Sequence, residues 1–105
     1  MSDMIQNETG SREESLAFSE IPVPPQCVVI FFNDDYTTKD FVVDVLVGVF
    51  NKPRLEAEQI MENVHQSGSG IVGSYTYDVA VSRANITRNL AKKNGFPLRV
   101  EIEHA

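Results

Sequence analysis

Cysteine, histidine and clustered basic residues are scarce in this 105-residue chain, with one Cys, two His and nine Lys plus Arg against fifteen Asp plus Glu. A lone cysteine excludes an internal disulfide, and no CxxC, HExxH or calcium-loop spacing occurs, so no metal and no cofactor are expected. Cys27 opens an apolar run, where a small core residue is its ordinary role. No serine or cysteine is paired with a base in any recognisable pattern, so no catalytic residue is assigned and the chain does not read as an enzyme. The net charge of −6 argues against nucleic acid, whose phosphates need clustered cations. The only basic cluster, Lys92-Lys93 after Arg88, suits the C-terminal end of a helix. No apolar run approaches the roughly 20 residues of a membrane span. The chain also lacks a charged-then-apolar leader pattern, and a reducing, cytoplasmic setting is the expectation.

What is present divides unevenly. Residues 1–26 carry Asp3, Glu8, Glu13, Glu14 and Glu20 against Arg12 alone and show no helical or strand period. They read as a disordered acidic extension, ending in the proline-fixed linker Ile21-Pro22-Val23-Pro24-Pro25. Residues 27–105 read as one core domain. CVVIFF, residues 27–32, is a β-branched apolar run that predicts a strand buried on both faces or central in a small sheet. Thr37, with Asp40 three residues on, predicts a helix start, and Phe41, Val42, Val45, Leu46, Val49 and Phe50 recur at helical spacing to residue 50. Pro53 and Gly68 bracket a second helix over about 54–66, with Leu55, Ile60, Met61 and Val64 inside and Glu56, Glu58 and Glu62 outside.

Ile71 to Tyr75 predicts a short strand. Thr76 then caps a third helix whose inward side chains are Val79, Ala80, Ala84, Ile86, Leu90 and Ala91, ending at Asn94-Gly95. LRVEIE, residues 98–103, alternates strictly and predicts a strand with one wet face. The order strand-helix-helix-strand-helix-strand implies an α+β fold, a small three-stranded sheet with three helices packed on one face.

Chemistry concentrates in Asn33, Asp34 and Asp35, set at the seam between the first strand and the first helix. Three readings compete. They can form a turn and a helix approach. With a histidine, Asp34 and Asp35 can form an acid–base or metal group. They can also form one wall of a pocket for a cation, if the helical face bearing Met61, Val64 and His65 packs against them.

NDDYT followed by FVVDVL, then Met61 with the VH pair three residues on, then FPL before the last strand, resembles the ClpS family over about residues 27–105. That family consists of adaptors delivering N-degron substrates to an AAA+ unfoldase of the ClpA type. The resemblance implies that Asn33, Asp34, Asp35 and His65 hold the free α-ammonium and first peptide units of a substrate. It implies a pocket for a bulky apolar first side chain, lined by Thr37, Val42, Met61, Val64 and Leu98. Asp78 and Arg83 fall where the family contacts the N-terminal domain of the unfoldase, each conservatively changed from the commonest Glu and Lys. Residues 1–25 resemble the extension that engages the unfoldase during hand-off. One position departs: Lys39 stands at the pocket rim where the family usually has Met. Its stem can lie along the rim with the ammonium in water, or swing away and loosen selectivity. The alternative from another class is a regulatory module that binds the unfoldase without reading N-termini.

Overall fold

The computed structural model describes residues 24–105; the disordered extension expected over residues 1–26 lies, up to residue 23, outside the described residues. Strand β1 (Gln26–Phe32) is followed by helices α1 (Lys39–Gly48) and α2 (Arg54–Ser67), strand β2 (Ser69–Thr76), helix α3 (Tyr77–Lys93) and strand β3 (Arg99–His104). The sheet order is β2-β1-β3, antiparallel throughout. Cys27, Val29 and Phe31 are fully buried, whereas Val28, Ile30 and Phe32 are only half-buried. β1 is therefore central, as the second of its two expected placements had it, but covered on one face only. Both neighbours supply its hydrogen bonds, and one face receives all three helices. A bulge in β2 shifts the register between Val29 and Ile30, leaving Val72 between the paired Gly73 and Ile71 and turned into the core.

One apolar cluster joins the inner face of β1 to every helix, including Val42, Val43, Val45 and Leu46 of α1, Ala57 and Val64 of α2, and Val100 of β3. Phe50 lies beyond the end of α1, two residues later than the helix itself reaches. It still plugs the core edge-on against Phe31, with ring centroids 5.7 Å apart. Side chains of this size contribute about 1.5–3 kcal/mol each on burial.

Three expectations are corrected. The α1 cap is Thr38, whose Oγ1 accepts from the Phe41 N–H at 3.1 Å; Thr37 is withdrawn because its hydroxyl is bonded to Asp34. Leu55 is 69% exposed: it lies two residues before the buried Ala57, roughly 160° away around the helix. In α3 the buried stripe is Ala80, Ala84, Thr87 and Ala91, and Val79, Ile86 and Leu90 sit on the adjoining, exposed stripe. Small side chains let the helix lie close on the sheet, so the larger apolar residues are displaced to its flank. Thr87 is accommodated there because its hydroxyl donates to the Arg83 carbonyl at 2.9 Å. In β3 the expected alternation holds only at the start, with Arg99 exposed and Val100 buried, whereas Glu101 and Ile102 are both half-buried. The guanidinium of Arg99 lies 4.2 Å from the centre of the Phe32 ring on the open face of the sheet.

Candidate functional site

The seam and α2 are tied together by backbone. Gly68 ends α2 in the left-handed conformation (φ 91°), a shape that glycine adopts without steric cost, and its N–H returns to the Val64 carbonyl at 2.9 Å. The carbonyl of Gly68 in turn accepts from the Asn33 N–H at 2.9 Å. The loop leaving β1 is thus held beside the last turns of α2. Val64 points into the core, and Met61 and His65, four residues apart, share one side of the helix facing the loop.

The result is one cavity of about 240 Å³ bordered by Asn33, Asp34, Asp35, Thr37, Lys39, Val42, Met61, Val64 and His65. That is below the roughly 300–1,000 Å³ of sites for whole small molecules, and of a scale suited to a single large side chain. Nine of the ten residues expected at the pocket meet here. The tenth, Leu98, is buried in the core and does not border the cavity. Val42 and Val64 give the cavity apolar walls and Met61 adds a flexible one, while the amide, carboxylates and imidazole stand at the polar side.

Asp34 and Asp35 do different work although they are adjacent. Asp34 Oδ1 accepts from the Tyr36 N–H at 2.8 Å and the Thr37 N–H at 2.7 Å, and Oδ2 accepts from the Thr37 hydroxyl at 2.7 Å. Burial pushes its pKa up, but these three bonds outweigh burial and hold the carboxyl below the ordinary carboxylate value. The turn reading is therefore realised by Asp34. No side-chain hydrogen bond is made among the described residues by Asn33, Asp35 or His65, all exposed at the mouth. They present an acceptor amide, a carboxylate and an imidazole to whatever enters.

Lys39, the departing residue, borders the cavity, and its ammonium lies 3.6 Å from Glu62 Oε2 on α2. The helical pattern alone places Glu62 on the outward face of α2. The signal available for it is its place directly after Met61, with a charge opposite to that of Lys39.

Asp78 and Arg83 lie apart from this cavity, in the first half of α3. With Val79 and Ser82 they line a shallow depression, and Arg83 is further held 5.5 Å over the Tyr75 ring. No group of three or more His, Cys, Asp or Glu is placed to hold a metal ion among the described residues. No described helix is long and apolar enough to cross a membrane.

Comparison with known proteins gives a consistent answer. Residues 22–101 match the family described as ATP-dependent Clp protease adaptor protein ClpS. The chain is 48% identical over 80 residues to the ATP-dependent Clp protease adapter protein ClpS of Desulforapulum autotrophicum, covering 76% of this chain and 77% of that one. It is 40% identical over 103 residues to its namesake from Myxococcus xanthus, covering 98% and 96%. The solved structure of Agrobacterium tumefaciens ClpS2 bound to L-phenylalaninamide superposes with a TM-score of 0.75 at 34% identity, over 79% of this chain and all of that one. These relatives are named as adaptors.

Proposed function

The chain belongs to the ClpS family of Clp protease adaptors, and from that premise we propose that it binds proteins through a free N-terminal amine and a bulky apolar first side chain. It then delivers them, in the cytoplasm, to a ClpA-type AAA+ unfoldase. The observation that carries this reading is the convergence of Asn33, Asp35 and His65 with Val42, Met61 and Val64 on one small cavity. A cation-binding mouth next to an apolar hole matches what the first residue of a chain offers and an internal residue does not. L-phenylalaninamide, bound by the Agrobacterium relative, is such a first residue reduced to its amine, side chain and first amide.

Asn33 Oδ1, the Asp35 carboxylate and His65 would accept bonds from the α-ammonium. Charge-assisted bonds of this kind contribute about 1.5–3 kcal/mol each, and burying a Phe or Leu side chain a similar amount. After the costs of association, micromolar or tighter binding is within reach. His65 would serve through a ring nitrogen that offers its lone pair to the ammonium. Asp78 and Arg83 supply the proposed contact with the N-terminal domain of the unfoldase.

Fluorescence anisotropy of a labelled Phe-first peptide beside its N-acetylated twin tests the reading. Tight binding abolished by acetylation is the expected result. Equal binding of both peptides rejects amine recognition and favours the regulatory-module alternative.

A further inference from the structure

The pair between Lys39 and Glu62 joins α1 to α2 beside the cavity. Lys39 is the first residue of α1 and borders the pocket, and Glu62 follows the pocket residue Met61 on α2. Lysine carries its charge on a four-carbon stem with many rotamers, and tethering the ammonium restricts where that stem lies. On the pocket reading above, on which this inference rests, the geometry points to Glu62 as a positioning residue that sets how strictly the pocket selects its first side chain.

Glu62 acts through Lys39 in two ways. It holds the lysine stem along the pocket as a wall, and it offsets the lysine charge beside an arriving α-ammonium. A wall at the rim meets the part of the first side chain nearest the backbone. Side chains branched at Cβ are widest there and stiff about the first torsion, so the wall discriminates against Val and Ile in favour of Phe and Leu. The pair is also half exposed, with side chains 50% and 46% accessible, so salt weakens it. Selectivity, and not only affinity, therefore depends on ionic strength.

The test is the ratio of affinities for Phe-first and Val-first peptides, read by anisotropy at about 0.05 M and about 0.5 M salt, where screening differs several-fold. Salt effects on amine capture are common to both peptides and cancel in the ratio. In the unaltered protein the ratio falls about two- to fivefold with salt, the range an exposed pair supports. Glu62→Gln shows the high-salt ratio already at low salt and no further response, Lys39→Arg keeps the response, and Lys39→Met keeps discrimination but loses the response. Thermal stability is unchanged in all three. A Glu62→Gln protein that retains the original ratio and its salt response overturns the inference, as does one whose only change is a lower Tm. An N-acetylated Phe peptide run alongside separates the two failures. Amine-dependent binding with an unaltered ratio rejects the role of Glu62 alone, and amine-independent binding rejects the pocket reading itself.

Discussion

Asp34 and Asp35 show how neighbouring residues of one type can be assigned different tasks by geometry. Asp34 turns both oxygens back onto Tyr36 and Thr37, which shapes the loop that presents Asn33 and Asp35. Its pKa is lowered in the folded state. A carboxylate favoured in the folded state stabilises the fold above the unfolded value near about 3.9. That stability is lost as pH falls through the lower folded value. Asp34→Asn keeps an acceptor for the two backbone N–H groups, so it costs little at neutral pH but flattens the acid limb of stability. Asp34→Ala loses all three bonds and costs about 1–2 kcal/mol at pH 7. Urea unfolding at pH 7 and at about pH 3 checks both, and a steep acid limb retained by the Asn variant would assign the acid sensitivity to another carboxylate.

Elements were legible in the sequence where an apolar pattern and a boundary residue agreed. The run from Cys27 to Phe32, the stops at Pro53 and Gly68, and the alternation after Leu98 all have local causes, and all correspond to observed elements. From residue types alone the pocket was one of three open readings, and the resemblance to ClpS singled it out; in the structure Asn33, Asp34, Asp35 and Thr37 do border one cavity with Met61, Val64 and His65. The remainder depended on packing that no local pattern encodes. Thr37 and Thr38 are equally suited to cap α1, and the choice falls to Thr38 because Asp34 captures Thr37. Alanines rather than the larger Val79, Ile86 and Leu90 face the sheet because a close helix approach requires them.

The same closeness governs α2 on β2. A Cβ added at Gly70 would stand 2.8 Å from Val64 Cγ2 and 3.2 Å from Asn63 Nδ2. Valine is stiff about χ1, so Gly70→Ala pushes α2 outward rather than being absorbed by a rotamer. The expected cost is about 1–3 kcal/mol in urea unfolding. Weaker Phe-first peptide binding should accompany it, because Met61 and His65 move with the helix. A destabilised variant with unchanged peptide affinity would separate the α2–β2 contact from the pocket.

Across the whole molecule, the two surfaces with proposed roles share no residue: the cavity is built from the β1–α1 loop, α1 and α2, and the Asp78–Arg83 depression from α3 alone. An adaptor needs this separation, since it must hold its substrate and its unfoldase at the same time. Losses at the two surfaces should then be independent in binding and joined only in delivery. Asn33→Ala with His65→Ala removes two of the charge-assisted bonds proposed for the α-ammonium, each worth about 1.5–3 kcal/mol. Phe-first peptide affinity should fall by at least about a hundredfold, while affinity for the N-terminal domain of the unfoldase stays unchanged. Asp78→Lys with Arg83→Glu should do the reverse, since juxtaposed like charges at an interface cost several kcal/mol. Tm should be little altered by the first pair, whose side chains are exposed. The second pair also removes the Arg83–Tyr75 contact and should lower Tm modestly, so its peptide affinity is the internal control for a folded chain. Degradation of a Phe-first substrate by the complete protease should be lost with either pair. If the first pair abolishes peptide binding yet leaves degradation of Phe-first substrates intact, the pocket is not the route by which those substrates reach the protease.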